Sequence, residues 1–429
     1  MLYDNLSVNE AGHLTFNGHD TVELAKQYGT PLYLIDEDRL RANCRRYVNT
    51  MRECLGEGSV PSYASKALSF TDIYRIVREE GMNIDVVSCG EIYTALRAGF
   101  PAEQMYFHGN NKTDEDIEYA MENGVGYFVI DNFQELKNVG ECAAKRGIEQ
   151  KVLIRITPGI DPHTFEAVNT GKLDCQFGVP IMRGVEFTAA ALEQNGIRLM
   201  GFHCHIGSQI FDSTPFCDAV DMMFEFISGV RNKLGFEAKV LNLGGGFGVR
   251  YVDTDPRIDI ERNLREVAQH IKETCERLEL SQPDILLEPG RSIVGDTGIT
   301  LYKTGCVKDT DGSKNYVMID GGMSDNPRYA LYRSPYTVMI ASKAASNADF
   351  RCTVAGRCCE SGALIQEDIM LPKPEKGDIV AVLTTGAYNF SMSSNYNRLC
   401  RPPVVMVTKD STRVAVRRQT FEDLTAGEI

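Results

Sequence analysis

The fold is limited above all by an alternation of short apolar runs with longer amphipathic segments, from about residue 37 to residue 290. The apolar runs largely lack strict polar alternation, which is typical of parallel strands buried on both faces. Eight runs are predicted as strands: 59–64, 84–88, 105–109, 127–131, 152–157, 199–206, 240–243 and 285–288. About eight strand–helix units in roughly 250 residues favour a (β/α)8 barrel, although an open doubly wound sheet has the same periodicity.

After about residue 292 the pattern changes to strands separated by turn residues. Six are predicted: 299–309, 314–322, 349–358, 378–388, 402–410 and 411–419. The sequence therefore predicts an α/β protein, with a barrel over residues 37–291 and a mostly antiparallel β domain over residues 292–429. The N-terminal residues 1–36 are expected to add strands to the β domain.

Composition excludes several classes of partner. Lys and Arg number 45 against 59 Asp and Glu, a net charge of −14 that disfavours nucleic acid and anionic membranes. No apolar run approaches the roughly 20 residues of a membrane span. The first residues lack the pattern of a secretory signal. Thirteen scattered cysteines fit free thiols in a reducing compartment, so we expect a cytoplasmic protein.

Reactive side chains cluster at the predicted carboxyl ends of the strands, where barrel enzymes carry their active sites. They are Lys66, Asp85, Ser88, His108, Arg155, His203, His205, Ser208, Gly244 to Gly246, Glu288 and Arg291. Lys66 follows a buried strand, so its amine is expected to be desolvated, with a lowered pKa and a tendency to form imines. A lysine that simply reaches solvent at a strand end fits the same position.

Three further motifs each have two interpretations. The glycines Gly244, Gly245 and Gly246 are typical of a phosphate-binding loop or of a tight structural turn. In the Glu288-Pro289-Gly290-Arg291 segment, Glu288 and Arg291 could form a structural ion pair. Alternatively, Arg291 could bind an anion and Glu288 could bind a protonated ring nitrogen. His203 and His205 share a face and suit a metal, but without further clustered ligands a ring-stacking imidazole, with Ser208 on a phosphate, fits better. No metal is predicted.

A lysine, a phosphate loop, a ring-nitrogen carboxylate and a stacking histidine together point to pyridoxal 5′-phosphate (PLP). Eight segments also resemble, in order and spacing, the fold-type III PLP-dependent decarboxylases, and among them the diaminopimelate decarboxylases. The segments are YASKA, DVVSCGEI, HCHIGSQ, LNLGGGFG, EPGRS, DGGMSD, CCESG and GAYNFSMSSNYN, and they span about residues 60–400.

The resemblance implies a role for each matching residue. Lys66 would link to PLP, with His205, Ser208, Gly244 to Gly246, Glu288, Pro289, Gly290, Arg291 and Tyr388 completing the cofactor site. Arg291, Arg328, Tyr332, Glu360 and Tyr388 would bind the substrate. Cys359 would donate the proton that replaces the carboxylate, whereas the bare pattern of Cys358 and Cys359 also fits two core thiols. The family implies a homodimer with composite active sites.

The implied reaction is the decarboxylation of meso-2,6-diaminopimelate at its D-centre to L-lysine. Gln176 and Ala363 depart from the usual family residues, lysine and aspartate. A decarboxylase of D-ornithine, D-lysine, arginine or carboxynorspermidine shares the cofactor motifs but lacks a need for Arg328. A PLP racemase is disfavoured because Glu288 replaces the arginine expected at the ring nitrogen. A non-enzymatic PLP-binding relative would be expected to lose Lys66, Glu288 or Cys359.

Overall fold

A computed structural model describes residues 1–159, 175–310, 312 and 314–429 of the chain. The chain divides into two compact units. The barrel unit comprises Cys44–Gly248 and Ile258–Gly290, and the β unit comprises Met1–Asn43, Val249–Arg257 and Arg291–Ile429. The loop after His163, within residues 160–174, lies outside the described residues.

Eight parallel strands of the described residues form the barrel. In order around the sheet they are Ser62–Ala64, Asn83–Val86, Met105–Phe107, Tyr127–Ile130, Gln150–Thr157, Ile197–His203, Val240–Asn242 and Asp284–Leu286. A short strand, Val179–Pro180, pairs with Gln150–Thr157. The amides of Ser62 and Ala64 donate to the carbonyls of Leu287 and Pro289 at 2.7 and 3.2 Å, which joins the first strand to the last. The prediction of a closed barrel is therefore confirmed.

Helices alternate with these strands. They are Thr71–Glu79, Cys89–Arg97, Asp114–Glu122, Phe133–Lys145, Gly184–Glu193, Thr214–Leu234 and Ile260–Arg277, with Glu37–Leu55 entering the barrel unit from the β unit. The helix Asp114–Glu122 has Thr113 as its N-cap. The Thr113 hydroxyl accepts from the Asp116 amide at 3.2 Å, and the Asp116 carboxylate accepts from the Thr113 amide at 3.1 Å. This capping box satisfies two otherwise unpaired backbone donors.

The β unit contains a small sheet, Leu6–Val8, Leu14–Phe16 and His19–Asp20, and a larger one. In the larger sheet, seven strands follow one another in the order Leu364–Leu371, Phe350–Ala355, Asn315–Ile319, Gly298–Asp309, Leu32–Asp36, Val404–Val407 and Thr412–Val416. Two further strands extend it: Ile379–Leu383 pairs with Gly298–Asp309, and Val338–Ile340 pairs with Ile379–Leu383. All its pairs are antiparallel except two. Helices of this unit are Thr21–Tyr28, Arg291–Val294, Arg328–Tyr332 and Phe421–Thr425.

Two strands of the β unit were not predicted. Leu364–Leu371 carries three successive polar residues, Gln366, Glu367 and Asp368, and its register shifts opposite Phe350–Ala355. Asp368 has a φ of +57°, so the irregularity breaks the alternation that identifies a strand. Val338–Ile340 is too short to give a pattern. Among the helices that the structure describes, none is both long and apolar enough to cross a bilayer.

Candidate active site

Glu288 is a buried carboxylate just beyond the last barrel strand, and polar side chains from three other strand ends surround it. Its Oε1 lies 2.8 Å from His108 Nε2 and accepts a hydrogen bond of 2.7 Å from Asn242 Nδ2. Its Oε2 lies 3.1 Å from His203 Nε2. Because all four side chains are buried, the barrel holds one carboxylate in a fixed position on several donors.

The partners keep Glu288 ionised. Burial alone would raise its pKa, but His108 and His203 outweigh that effect and hold the pKa well below its ordinary value. The pKa of His203 falls to about 4, because burial disfavours the imidazolium despite the neighbouring carboxylate. His203 is therefore neutral at neutral pH and can donate its Nε2 hydrogen to Glu288. The cluster presents a negative charge at the carboxyl ends of the strands.

Asp85 lies near the same atom of His108 that contacts Glu288, with its Oδ1 3.8 Å from His108 Nε2. Burial raises its pKa to about 7, and His108 and Lys66 oppose that rise. Its Oδ1 has no hydrogen-bond partner among the described residues. A buried oxygen of this kind is available to a ligand that carries a donor.

Lys66 lies in a short 3-10 turn, Ser65–Ala67, directly after the first strand. Its side chain is exposed, so the prediction that the protein itself desolvates this amine is wrong. The strand ends two residues earlier, at Ala64, and within the turn Ser65 and Ala67 are buried whereas Lys66 is exposed. The Lys66 charge nevertheless opposes the rise in the pKa of Asp85 and adds to the fall in the pKa of His205.

The glycine loop meets the segment that follows the His203 strand. The Gly245 amide donates to His205 Nδ1 at 3.2 Å, and the Gly244 amide donates to Asn242 Oδ1 at 2.9 Å. A Cβ on Gly244, whose φ is +71°, would lie 2.8 Å from His205 Nδ1, and one on Gly245 would lie 2.1 Å from the Glu288 carbonyl. The amides of Gly244 and Gly245 are thus already bonded within the protein. The main effect of these two glycines is that, without a Cβ, they let His205 and the Glu288 backbone lie close to the loop.

His205 is half-buried and has a pKa well below its ordinary value, because burial and the charges of Lys66 and Arg155 disfavour the imidazolium. Its Nδ1 accepts from Gly245, whereas His203 contacts Glu288, so the two histidines have different partners. His108, His203 and Glu288 do bring three ligand-type atoms within 4.8 Å of one another. His108 Nε2 lies 2.8 Å from one carboxylate oxygen of Glu288, and His203 Nε2 lies 3.1 Å from the other.

The remaining barrel residues of the prediction have mainly structural contacts. The Ser88 hydroxyl accepts from the Glu91 amide at 3.2 Å and caps the helix Cys89–Arg97. The Arg155 guanidinium lies 4.6 Å from the Phe177 ring. Gly290 packs against Ala64, where a Cβ would lie 3.0 Å from the alanine Cβ. Ser208 is half-buried in the loop that follows His205.

In the β unit, Arg291 and Arg328 are both buried and lie against tyrosines. Arg291 Nη1 donates to the Tyr251 hydroxyl at 2.6 Å, and its Cζ lies 4.8 Å from the Tyr388 ring. Arg328 Nη1 donates to the Tyr336 hydroxyl at 2.8 Å. Tyr388, predicted for the site, has a φ of +62°, which is rare for a tyrosine and is the kind of strain that clusters at functional sites.

Tyr332, Cys359 and Glu360 are exposed. Tyr332 ends the helix that begins at Arg328, so the two are close along the chain. Cys359 and Glu360 lie in the turn between the strands Phe350–Ala355 and Leu364–Leu371. The Cys359 amide donates to Asn397 Oδ1 at 2.7 Å.

Sequence reasoning missed Asn242, Tyr251, Tyr336 and Asn397. Asn242 lies two residues before the predicted glycine loop, and an amide side chain at the end of an apolar strand was the available signal. No sequence motif identifies Tyr251, Tyr336 or Asn397. Their contacts join segments that the hydrophobic pattern does not relate to one another.

Comparison with known proteins agrees with this geometry. Residues 41–295 match the family described as "Pyridoxal-dependent decarboxylase, pyridoxal binding domain". The diaminopimelate decarboxylase of Bacillus methanolicus is 44% identical over 96% of each chain, and that of Bacillus subtilis is 42% identical over 97% of this chain and 95% of its own. A crystal structure of diaminopimelate decarboxylase from M. jannaschii with L-lysine is similar with a TM-score of 0.90 and 33% identity, covering 99% of this chain and 98% of the other. The chain belongs to the diaminopimelate decarboxylases, a family of pyridoxal-dependent decarboxylases.

Proposed function

We propose that the chain decarboxylates meso-2,6-diaminopimelate at its D-centre to L-lysine, using PLP, as the last step of lysine biosynthesis. The observation that carries the proposal is the buried, ionised Glu288, held by His108, His203 and Asn242. An ionised carboxylate at the strand ends is suited to a charge-assisted hydrogen bond with a cationic group of a ligand. The family match over most of the chain supports the same chemistry.

The described residues fit PLP by their chemistry. An ionised carboxylate suits a protonated pyridine nitrogen, a neutral imidazole suits stacking on an aromatic ring, and a primary amine suits an aldehyde. Lys66, His205 and Glu288 provide these three groups within the barrel unit. Ser208, Gly246 and the Pro289–Arg291 segment would complete the hold on the cofactor, and the family resemblance also assigns Tyr388 to cofactor binding. PLP supplies an electron sink that stabilises negative charge on the substrate carbon once CO₂ leaves.

The protein's own residues then perform two tasks. Glu288 keeps a proton on the bound ring nitrogen, since its low pKa lets it remain charged throughout. Cys359 delivers a proton to the carbon that has lost CO₂, because a thiol is an effective acid near neutral pH. His205 stays uncharged, so it can lie against an aromatic face without adding positive charge.

Substrate recognition is assigned to the β unit. Arg291 and Arg328 would bind carboxylates, since a guanidinium matches a carboxylate through two parallel hydrogen bonds. Tyr332 and Tyr388 would contact the same substrate, and Glu360 would bind its distal ammonium. Burial of Arg328 among tyrosines favours a dicarboxylate over D-lysine or D-ornithine, because a buried cation needs an anion that those substrates lack at the distal end.

We further propose that the enzyme is a cytoplasmic homodimer with composite sites, in which Lys66 acts with Cys359 of the partner subunit. The exposure of Cys359 and Glu360 in the single chain supports this arrangement, because a proton donor works best where water is excluded.

The test is product analysis with purified protein and PLP. The meso, LL and DD isomers of diaminopimelate, D-ornithine and D-lysine are supplied separately, CO₂ is measured, and the amine is identified by chiral chromatography. We expect CO₂ from the meso isomer alone, with L-lysine as product. Putrescine or cadaverine instead would assign the chain to the D-amino-acid decarboxylases and refute the role of Arg328.

A further inference from the structure

Tyr251 is a buried tyrosine that lies against both Arg291 and Arg328 of the β unit. Its hydroxyl accepts from Arg291 Nη1 at 2.6 Å. Its ring lies 4.9 Å from the Arg328 Cζ and 5.8 Å from the Arg291 Cζ. One side chain therefore contacts two guanidinium groups whose residues are 37 positions apart in the sequence.

The backbone of Tyr251 is held firmly. Its amide donates to Asp255 Oδ2 at 2.7 Å, and its carbonyl accepts from the Thr337 amide at 3.0 Å and the Thr337 hydroxyl at 2.9 Å. The ring packs edge-on against Tyr336, with centroids 5.4 Å apart and planes at 90°. Because the backbone and the ring of Tyr251 are both fixed, Tyr251 also fixes the positions of the Arg291 and Arg328 guanidinium groups that contact it.

Arg328 also contacts a second tyrosine, Tyr336. Arg328 donates to the Tyr336 hydroxyl at 2.8 Å and to the Ser334 hydroxyl at 3.2 Å. Tyr336 is itself bonded to Asn389 Nδ2 at 3.2 Å. Neutral hydroxyls orient a guanidinium without neutralising it, so its charge stays available to a ligand anion.

We infer that Tyr251 is a specificity-determining positioning residue, which sets the separation of Arg291 and Arg328 so that they match the acidic groups of one ligand. This inference rests on the proposed function, in which both arginines bind carboxylates, and names the residue that fixes their geometry. The electrostatics agree with it: burial would raise the pKa of the phenol, but the two guanidiniums outweigh burial and lower it.

The test compares Tyr251→Phe, which removes the hydroxyl and keeps the ring, with wild type in the assembled holoenzyme. The control is Tyr28→Phe, which removes a partly buried hydroxyl of the same unit, bonded to Thr412 at 2.6 Å. Wild-type turnover of meso-diaminopimelate is measured first, and its absence would refute the proposed function and not the role of Tyr251. In that case, binding of L-lysine to wild type and to Tyr251→Phe decides the inference alone.

We expect Tyr251→Phe to raise KM about tenfold, as for a lost hydrogen bond to a charged group, with kcat and the melting temperature close to wild type. The inhibition constant of L-lysine, which retains one carboxylate, should rise with KM, whereas that of cadaverine, which has none, should not. Tyr28→Phe should change none of these quantities. An unchanged KM, or a common loss in kcat, melting temperature and cadaverine binding, would overturn the inference.

Discussion

For single residues of the site, the burial of a charged side chain must be compensated by polar partners. Glu288 is 7% exposed and yet ionised, because two imidazoles and an amide share its two oxygens. Lys66 and Glu288 could be predicted from the sequence, since each is an unusual residue at a strand end. Asn242 and Tyr251 could not, because their importance arises only when distant segments pack together.

Changing Glu288 to Gln tests the ring-nitrogen role. The amide keeps the shape but removes the charge, so we expect kcat to fall about 100-fold, comparable to the loss of one preorganised electrostatic group. The absorbance spectrum of the bound cofactor should change as well. Glu266→Gln, which changes one partner of an exposed ion pair with Arg262, is the control. Wild-type kcat in Glu288→Gln would contradict the assignment.

At the scale of elements, the barrel aligns the strand ends and buried polar contacts join them. Lys112 Nζ donates to the carbonyls of Gly109 and Val129 at 3.0 and 2.9 Å and to Glu135 at 2.6 Å. These bonds link the segments that follow two neighbouring strands, one of which carries His108. The strands could be predicted because continuous apolar runs repeat, whereas the exact strand ends depend on such side-chain contacts.

Lys112→Met should be strongly destabilising. It leaves the Glu135 carboxylate buried without its partner, which typically costs about 3–5 kcal/mol in the free energy of unfolding. Denaturant unfolding of Lys112→Met, Glu135→Leu and the double variant measures the cost. We expect the double variant to be more stable than Lys112→Met, because both buried charges are then absent. Additive losses would argue against a coupled pair.

At the scale of the whole molecule, the sequence predicted a barrel and a β domain but placed the boundaries differently from the compact units. Residues 37–43 and 249–257 belong to the β unit. The Asn43 amide donates to the Ile293 carbonyl at 2.9 Å, and Thr337 bonds to the Tyr251 carbonyl. Such contacts have sequence separations that periodicity cannot detect.

Stability should depend on pH through Asp325 of the β unit. Burial raises the pKa of Asp325 from 3.8 to about 7, so the folded chain holds this proton more tightly than the unfolded chain. Its contribution is complete below about pH 4 and is lost as the pH rises to about 7. The melting temperature of wild type should therefore fall more between pH 5 and pH 7.5 than that of Asp325→Asn, measured by calorimetry. Equal falls would show that Asp325 does not titrate in this range.

The proposed dimer predicts that two inactive variants restore activity when mixed. Lys66→Ala and Cys359→Ala each lack one half of every site. After denaturation and joint refolding, half of the dimers should be mixed, and each should contain one complete site, which gives about a quarter of wild-type activity. Refolding of each variant alone is the control. Activity no higher than that of the separate variants would place Lys66 and Cys359 of a site in the same chain.

We propose that PLP is held at the carboxyl ends of the barrel strands through Lys66. Borohydride reduction of the purified protein with PLP, followed by proteolysis and mass spectrometry, locates the attachment directly. The account predicts one labelled peptide, containing Lys66, and no label on the buried Lys112 or in Lys66→Ala. A label on another lysine, or none on wild type, would contradict it.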